Sequence, residues 1–143
     1  MIKPWGDLFV VRIAGNSIAP FQIGSIEYAV EHLGTRLVII LCHSNCGAVT
    51  AALEAMISGS PISSNYLKIV IDAIRPAVEP ILHNHHSELS PLLLSRSVEA
   101  NVKYSADRLC SQSEVVENYI QKEGLAVIGA EYALETGVVD FYE

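Results

Sequence analysis

Cys42-His43-Ser44-Asn45-Cys46 sets an imidazole, His43, and a thiol, Cys46, three residues apart, between the apolar run 37–41 and Gly47-Ala48-Val49. Those residue types at that spacing admit three readings. As a metal site, His43 supplies a ring nitrogen and Cys46 a thiolate to Zn²⁺, which accepts mixed nitrogen and sulfur ligands in a tetrahedron. A helix opening at Gly47 would favour the thiolate through its positive end. As a nucleophile, Cys46 is activated by the same helix end with His43 as its base, although no third orienting residue and no G-x-S-x-G elbow accompany them. As packing, Cys46 is a small buried residue and His43 a satisfied one at a strand end. The H-x-x-C spacing alone leaves all three open.

The flanking elements must do the positioning. Residues 36–42 read as a continuous apolar strand, buried on both faces as in a parallel sheet. From Gly47 to Ile57 the spacing of Val49, Ala52, Leu53 and Met56 is helical, and Gly59-Ser60-Pro61 stops it. Upstream, residues 7–15 have the β-branched and aromatic content of a strand closed by Gly15-Asn16. Residues 25–34 read as a helix with Ser25 as N-cap, Ile26, Ala29, Val30 and Leu33 on one face, and Gly34 at its end. Residues 67–82 are apolar at helical spacing, with Pro76 and Pro80 expected to kink or divide them. Ser90-Pro91 opens a long helix toward Cys110, and Ser113 caps a shorter one ending near Gly124. Strands over 125–130 and 138–142, joined by a turn at Glu135-Thr136-Gly137, close the chain.

That order implies βαβ crossovers: an α/β fold in a single domain, residues 1–143, with a mainly parallel central sheet flanked by helices. Sites in such sheets form at the carboxyl ends of strands, where His43 and Cys46 lie. Composition narrows the function. A net charge of −7 with nine scattered Lys and Arg residues argues against nucleic acid as a partner. The longest apolar run, 37–42, is too short to cross a bilayer, and residues 1–6 carry no apolar signal core, so the expected place is the cytoplasm. Three cysteines cannot all pair, which directs attention to metal or catalytic roles. Half the residues are hydrophobic and 17% charged, enough for a large core and an oligomer interface besides.

"GDLFVVRIAGN" (6–16), "SIEYAVEHLGTRLVIILCHSNCGAV" (25–49), "ANVKYSADRL" (100–109) and "GLAVIGAEYALETGVVDF" (124–141) resemble successive blocks of the β-class carbonic anhydrases, in the family's order and over most of the chain. The resemblance implies that family's fold in a homodimer or higher assembly, and a zinc lyase that reversibly hydrates CO2 to bicarbonate. It makes His43 and Cys46 the second and third zinc ligands. The family's first ligand and its Asp-Arg pair, which orients the zinc-bound hydroxide, come from a Cys-x-Asp-x-Arg segment ahead of the "GDLFVVR" strand. Met1-Ile2-Lys3-Pro4-Trp5-Gly6 holds no Cys, His or acid, so hydration is expected to be weak or absent in this chain. The alternatives are a non-catalytic dimeric scaffold of the same fold and, third, a hydrolase dependent on Cys46.

Cys42 stands where the family usually has Gly, and Ile13 where it often has Asn. No substitute ligand is evident. Strand alternation points Cys42 away from His43, Cys110 packs near the end of a distant helix, and Asp7 begins a strand. Elsewhere the simple readings are preferred. His83-Asn84-His85-His86 is a solvated turn rather than a metal site, and Arg12 a strand-end residue facing solvent or a dimer partner. Tyr28, Tyr66 and Tyr104 are packing or interface residues, and Glu131 and Glu135 exposed charges.

Overall fold

The computed structural model describes residues 6–83 and 88–142. After a short 3-10 turn (Ala14–Asn16) come α1 (Pro20–His32), β1 (Leu37–His43), α2 (Gly47–Ser58), α3 (Asn65–His83), α4 (Pro91–Gln112), α5 (Glu114–Glu123), β2 (Ala126–Tyr132) and β3 (Val139–Tyr142). The sheet runs β1-β2-β3, with β1 and β2 parallel and β3 antiparallel to β2. The architecture is α/β, as the alternation of elements requires. No described helix is long and apolar enough to cross a membrane.

Local chemistry sets the helix limits. The Ser90 hydroxyl accepts from the Leu93 amide at 3.1 Å, and Ser113 accepts from Val116 at 3.0 Å, so both hydroxyls satisfy a first-turn donor. Gly59 and Gly124 take left-handed φ values of 63° and 71° at the ends of α2 and α5. Pro76 and Pro80 do not divide α3, which runs unbroken through both. The first helix starts earlier than Ser25, at Pro20, where a proline needs no amide partner. Ser25 instead donates back to the Phe21 carbonyl at 2.7 Å. Of the 83–86 histidine stretch, only His83 falls within the described residues; His85 and His86 lie outside them.

Two strand expectations need correction. Residues 7–13 join no sheet and lie exposed, Leu8 and Val10 most of all. Their composition favours extended backbone, but a strand also needs a ladder, and no described strand pairs with them. Nor is β1 buried on both faces. Val38, Ile40 and Cys42 turn into the helical layer, while Leu37, Ile39 and Leu41 stay 50%, 42% and 48% exposed. The described helices cover one face of this strand only.

The covered face carries the core. Helix α4 lies against β1 and β2 and packs on α2 and α3, burying Leu53, Ile74, Val98, Val102 and Leu109 completely. The fit against β2 is close: a Cβ on Gly129 would sit 2.7 Å from Val102 Cγ1. Gly15 meets α3 as closely, with a left-handed φ of 67° and Ile74 Cδ1 2.6 Å from where its Cβ would be. Buried Asn101 of α4 donates to the Gly15 carbonyl at 2.8 Å and ties this turn to the core.

Candidate metal centre

β1 ends at His43 and α2 begins at Gly47, so the loop 44–46 sits at the carboxyl end of a parallel strand. His43 is half-buried, and its Nδ1 lies 2.8 Å from the Ser44 carbonyl oxygen. In the tautomer that donates there, Nε2 keeps its lone pair for a ligand. Cys46 occupies the N-cap of α2 and is 3% exposed. Its thiol is pulled down to about 5, first by the hydrogen bond from Cys42, then by the Val49 and Ala48 amides and the charge of His43; burial opposes them.

Cys42 was expected on the face opposite His43, and it is there, buried in the helical layer. Among the described residues it completes no metal-sized group with His43 and Cys46, in keeping with its not being a substitute ligand. The loop returns Cys46 to the same buried cluster that holds Cys42. Its own thiol is pushed up, first by that hydrogen bond and then by burial. The sequence signal was the cysteine itself, four positions before Cys46.

A second tie comes from the far end of the chain. Glu135 accepts from the Ser44 hydroxyl and from the Asn45 side-chain amide, both at 2.9 Å. Ser44 Oγ accepts in turn from the Leu134 amide at 3.0 Å, and the Ser44 amide donates to the Tyr132 carbonyl at 2.9 Å. The carboxyl of Glu135 is lowered by its own backbone amide first and by the Ser44 hydrogen bond next. It is exposed, as expected, but it is engaged, and it holds Asn45 in a left-handed conformation (φ 57°). Glu131 is likewise no free charge: half-buried beside Cys42 in the ladder, it accepts from the Tyr142 hydroxyl at 2.5 Å.

Two donors therefore fit a borderline-soft cation: the Cys46 thiolate and the free His43 nitrogen. Among the described residues no third His, Cys, Asp or Glu joins them in a metal-sized group. Cys110 lies half-buried on α4, its thiol raised by burial and by Glu117 and Asp107. Asp7 and Arg12 belong to the exposed 7–13 arm. The nucleophile reading gains little, since Cys46 takes its hydrogen bonds from Cys42 and two amides while His43 spends Nδ1 on a carbonyl.

Comparison with known proteins adds a family. The family model described as carbonic anhydrase matches residues 2–139. Carbonic anhydrase 2 of Mycobacterium tuberculosis is 35% identical over 132 residues, covering 92% of this chain and 61% of that protein. The Mycolicibacterium smegmatis carbonic anhydrase is 32% identical over 135 residues, with 94% and 63% covered. The chain thus spans about three fifths of these relatives' length. Among solved structures, the β-carbonic anhydrase CafA of Aspergillus fumigatus superposes with a TM-score of 0.84 at 30% identity, covering 98% of this chain and 65% of that one. The β-carbonic anhydrase CcaA gives 0.81 at 26% identity, with 98% and 69% covered.

Proposed function

The chain belongs to the β-carbonic anhydrase family, and from that membership we propose that residues 1–143 carry the nitrogen–sulfur half of a zinc site for reversible hydration of CO2 to bicarbonate. The observation that carries the reading is the pairing of a Cys46 thiolate at the start of α2 with a His43 ring whose Nδ1 is already engaged. In this reading His43 Nε2 and Cys46 Sγ hold Zn²⁺, which when bound supplies the Lewis acidity that makes hydroxide available to CO2 near neutral pH. The chain's own residues do the rest. The Ala48 and Val49 amides keep Cys46 ionised, the Ser44 carbonyl fixes the imidazole tautomer, and Glu135 holds the intervening loop in shape.

Met1 to Gly6 contain no Cys, His or acid. Within residues 1–143 the two residues matched to the family's zinc ligands are His43 and Cys46. The second reading is a non-catalytic dimeric scaffold in the cytoplasm. It is favoured by the open sheet face, where Leu37, Ile39, Leu41 and Phe141 stand exposed together with the 7–13 arm. Metal analysis and stopped-flow CO2 hydration on the chain and on Cys46→Ser decide between the two. Stoichiometric zinc, with measurable hydration abolished by the substitution, supports the lyase; a folded dimer with neither supports the scaffold.

A further inference from the structure

Gly15 and Asn16 take left-handed φ values in succession, 67° and 43°, a conformation that two adjacent residues do not hold unaided. Their turn is held from α4. The buried Asn101 side-chain amide donates to the Gly15 carbonyl at 2.8 Å and to Asn16 Oδ1 at 3.3 Å, and the Asn16 amide donates to Ser105 Oγ at 3.4 Å. So fixed, the turn meets β1 and α2 as well as α3 and α4. Its contact with α2 falls in the first turn of that helix, where a Cβ on Gly15 would sit 3.2 Å from Ala48 Cβ. Cys46 is bound into the same helical turn. Its carbonyl accepts from the Thr50 amide at 2.9 Å and from the Thr50 hydroxyl at 3.0 Å. A line of support thus runs from Asn101 through Gly15 and Ala48 to the residue that caps α2.

We propose that Asn101 is a positioning residue for Cys46, acting through the Gly15 turn on the first turn of α2. Glu135 grips Ser44 and Asn45 from the exposed side of the loop; Asn101 works from within the core. Without the Asn101 amide the Gly15 carbonyl loses its buried donor, and the two left-handed residues lose the bonds that oppose their relaxation toward ordinary backbone. The support under Ala48 then shifts, and with it the helical turn that aims the Cys46 sulfur. That Cys46 is set in place as a zinc ligand rests on the zinc reading; that its backbone is set in place does not.

The test pairs amide NMR of the metal-free 143-residue chain with zinc affinity by chelator competition, on Asn101→Ala and on Gly15→Ala combined with Ile74→Val. The second variant removes Ile74 Cδ1, which would lie 2.6 Å from the new methyl, and leaves the push on Ala48. Ile74→Val alone is its control. Val116→Ala, which truncates a wholly buried side chain of α5, controls for lost stability. Asn101→Ala and the double variant should move the Gly47, Ala48 and Val49 amide signals and weaken zinc ~10-fold or more, the scale for groups that orient metal ligands. Both controls should keep the parent's signals and affinity. Unmoved 47–49 signals, or moved signals with unchanged zinc affinity, overturn the proposal, as does an equal loss in Val116→Ala. If Asn101→Ala does not fold, the double variant carries the same outcomes. A parent that binds no zinc, or a Cys46→Ser that binds it as tightly, defeats the zinc reading instead, and the amide signals alone then decide whether Asn101 positions Cys46.

Discussion

Glu135 and Ser44 lie 91 positions apart in sequence and are joined carboxylate to hydroxyl at 2.9 Å. Through that bond and its twin to Asn45, the C-terminal turn shapes the loop between His43 and Cys46. Replacing Glu135 by Ala should therefore weaken zinc binding by ~10-fold or more, the scale seen when groups that orient ligands are removed. Because Glu135 is exposed, the thermal midpoint should hardly move. Chelator competition alongside a melt checks both; an unchanged affinity removes Glu135 from the site.

Thiol ionisation gives a second test. With its thiol lowered from 9.0 to about 5, Cys46 is a thiolate at neutral pH and becomes protonated only as pH falls through about 5. Zinc affinity at this ligand should hold above that point and fall away below it. Ultraviolet thiolate absorbance should show one of the three cysteines titrating near 5. Cys42→Ala removes the first cause of the shift and should move that step upward toward 9.

Packing across the sheet predicts a steric coupling. Gly129→Ala pushes a methyl to 2.7 Å from Val102 Cγ1 and should destabilise the chain by ~1–3 kcal/mol. Val102→Ala removes the obstructing methyls, so the double variant should lose less than the sum of the single losses. Urea midpoints for the four proteins provide the cycle, and strict additivity would show the contact is relieved elsewhere.

Asn101→Ala leaves the Gly15 carbonyl without its buried donor. The expected loss is ~1–3 kcal/mol. Hydrogen exchange should rise at residues 14–18, which this side chain ties to the core, more than at α5. Uniform change across the chain would argue against a local tie.

The open sheet face predicts association. Ile39→Glu or Phe141→Glu places a charge among exposed apolar side chains and should convert a dimer to a monomer by sedimentation, with the circular dichroism spectrum preserved. A parent chain that already sediments as a monomer refutes the scaffold reading.

Much of this was legible in the residues themselves. Ser90, Ser113, Gly59 and Gly124 announce helix ends because capping is a local bargain between a side chain and its next turn. His43 and Cys46 stand out for the same reason, being close in sequence. Residues 7–13 were misread because extended propensity is local while pairing is not. Apolar content alone marked β1 as doubly buried, yet which face is covered depends on where α4 packs. Alternation placed Cys42 correctly but said nothing of what the loop would bring beneath it. The Glu135 clamp lay 91 positions away and left no local mark.

That separation has a consequence in time. The β1–β2 ladder and the Glu135 clamp, which hold the 42–46 loop by hydrogen bonds, both reach to residues beyond 125. A chain emerging from the ribosome exposes both thiols on the order of ten seconds before Glu135 follows, at ordinary rates of synthesis. During that interval Cys42 and Cys46 are unshielded, and the sheet register that orients His43 does not yet exist. Metal captured in the native geometry would thus be a late event, and zinc uptake during refolding a clock for the docking of the C-terminal hairpin.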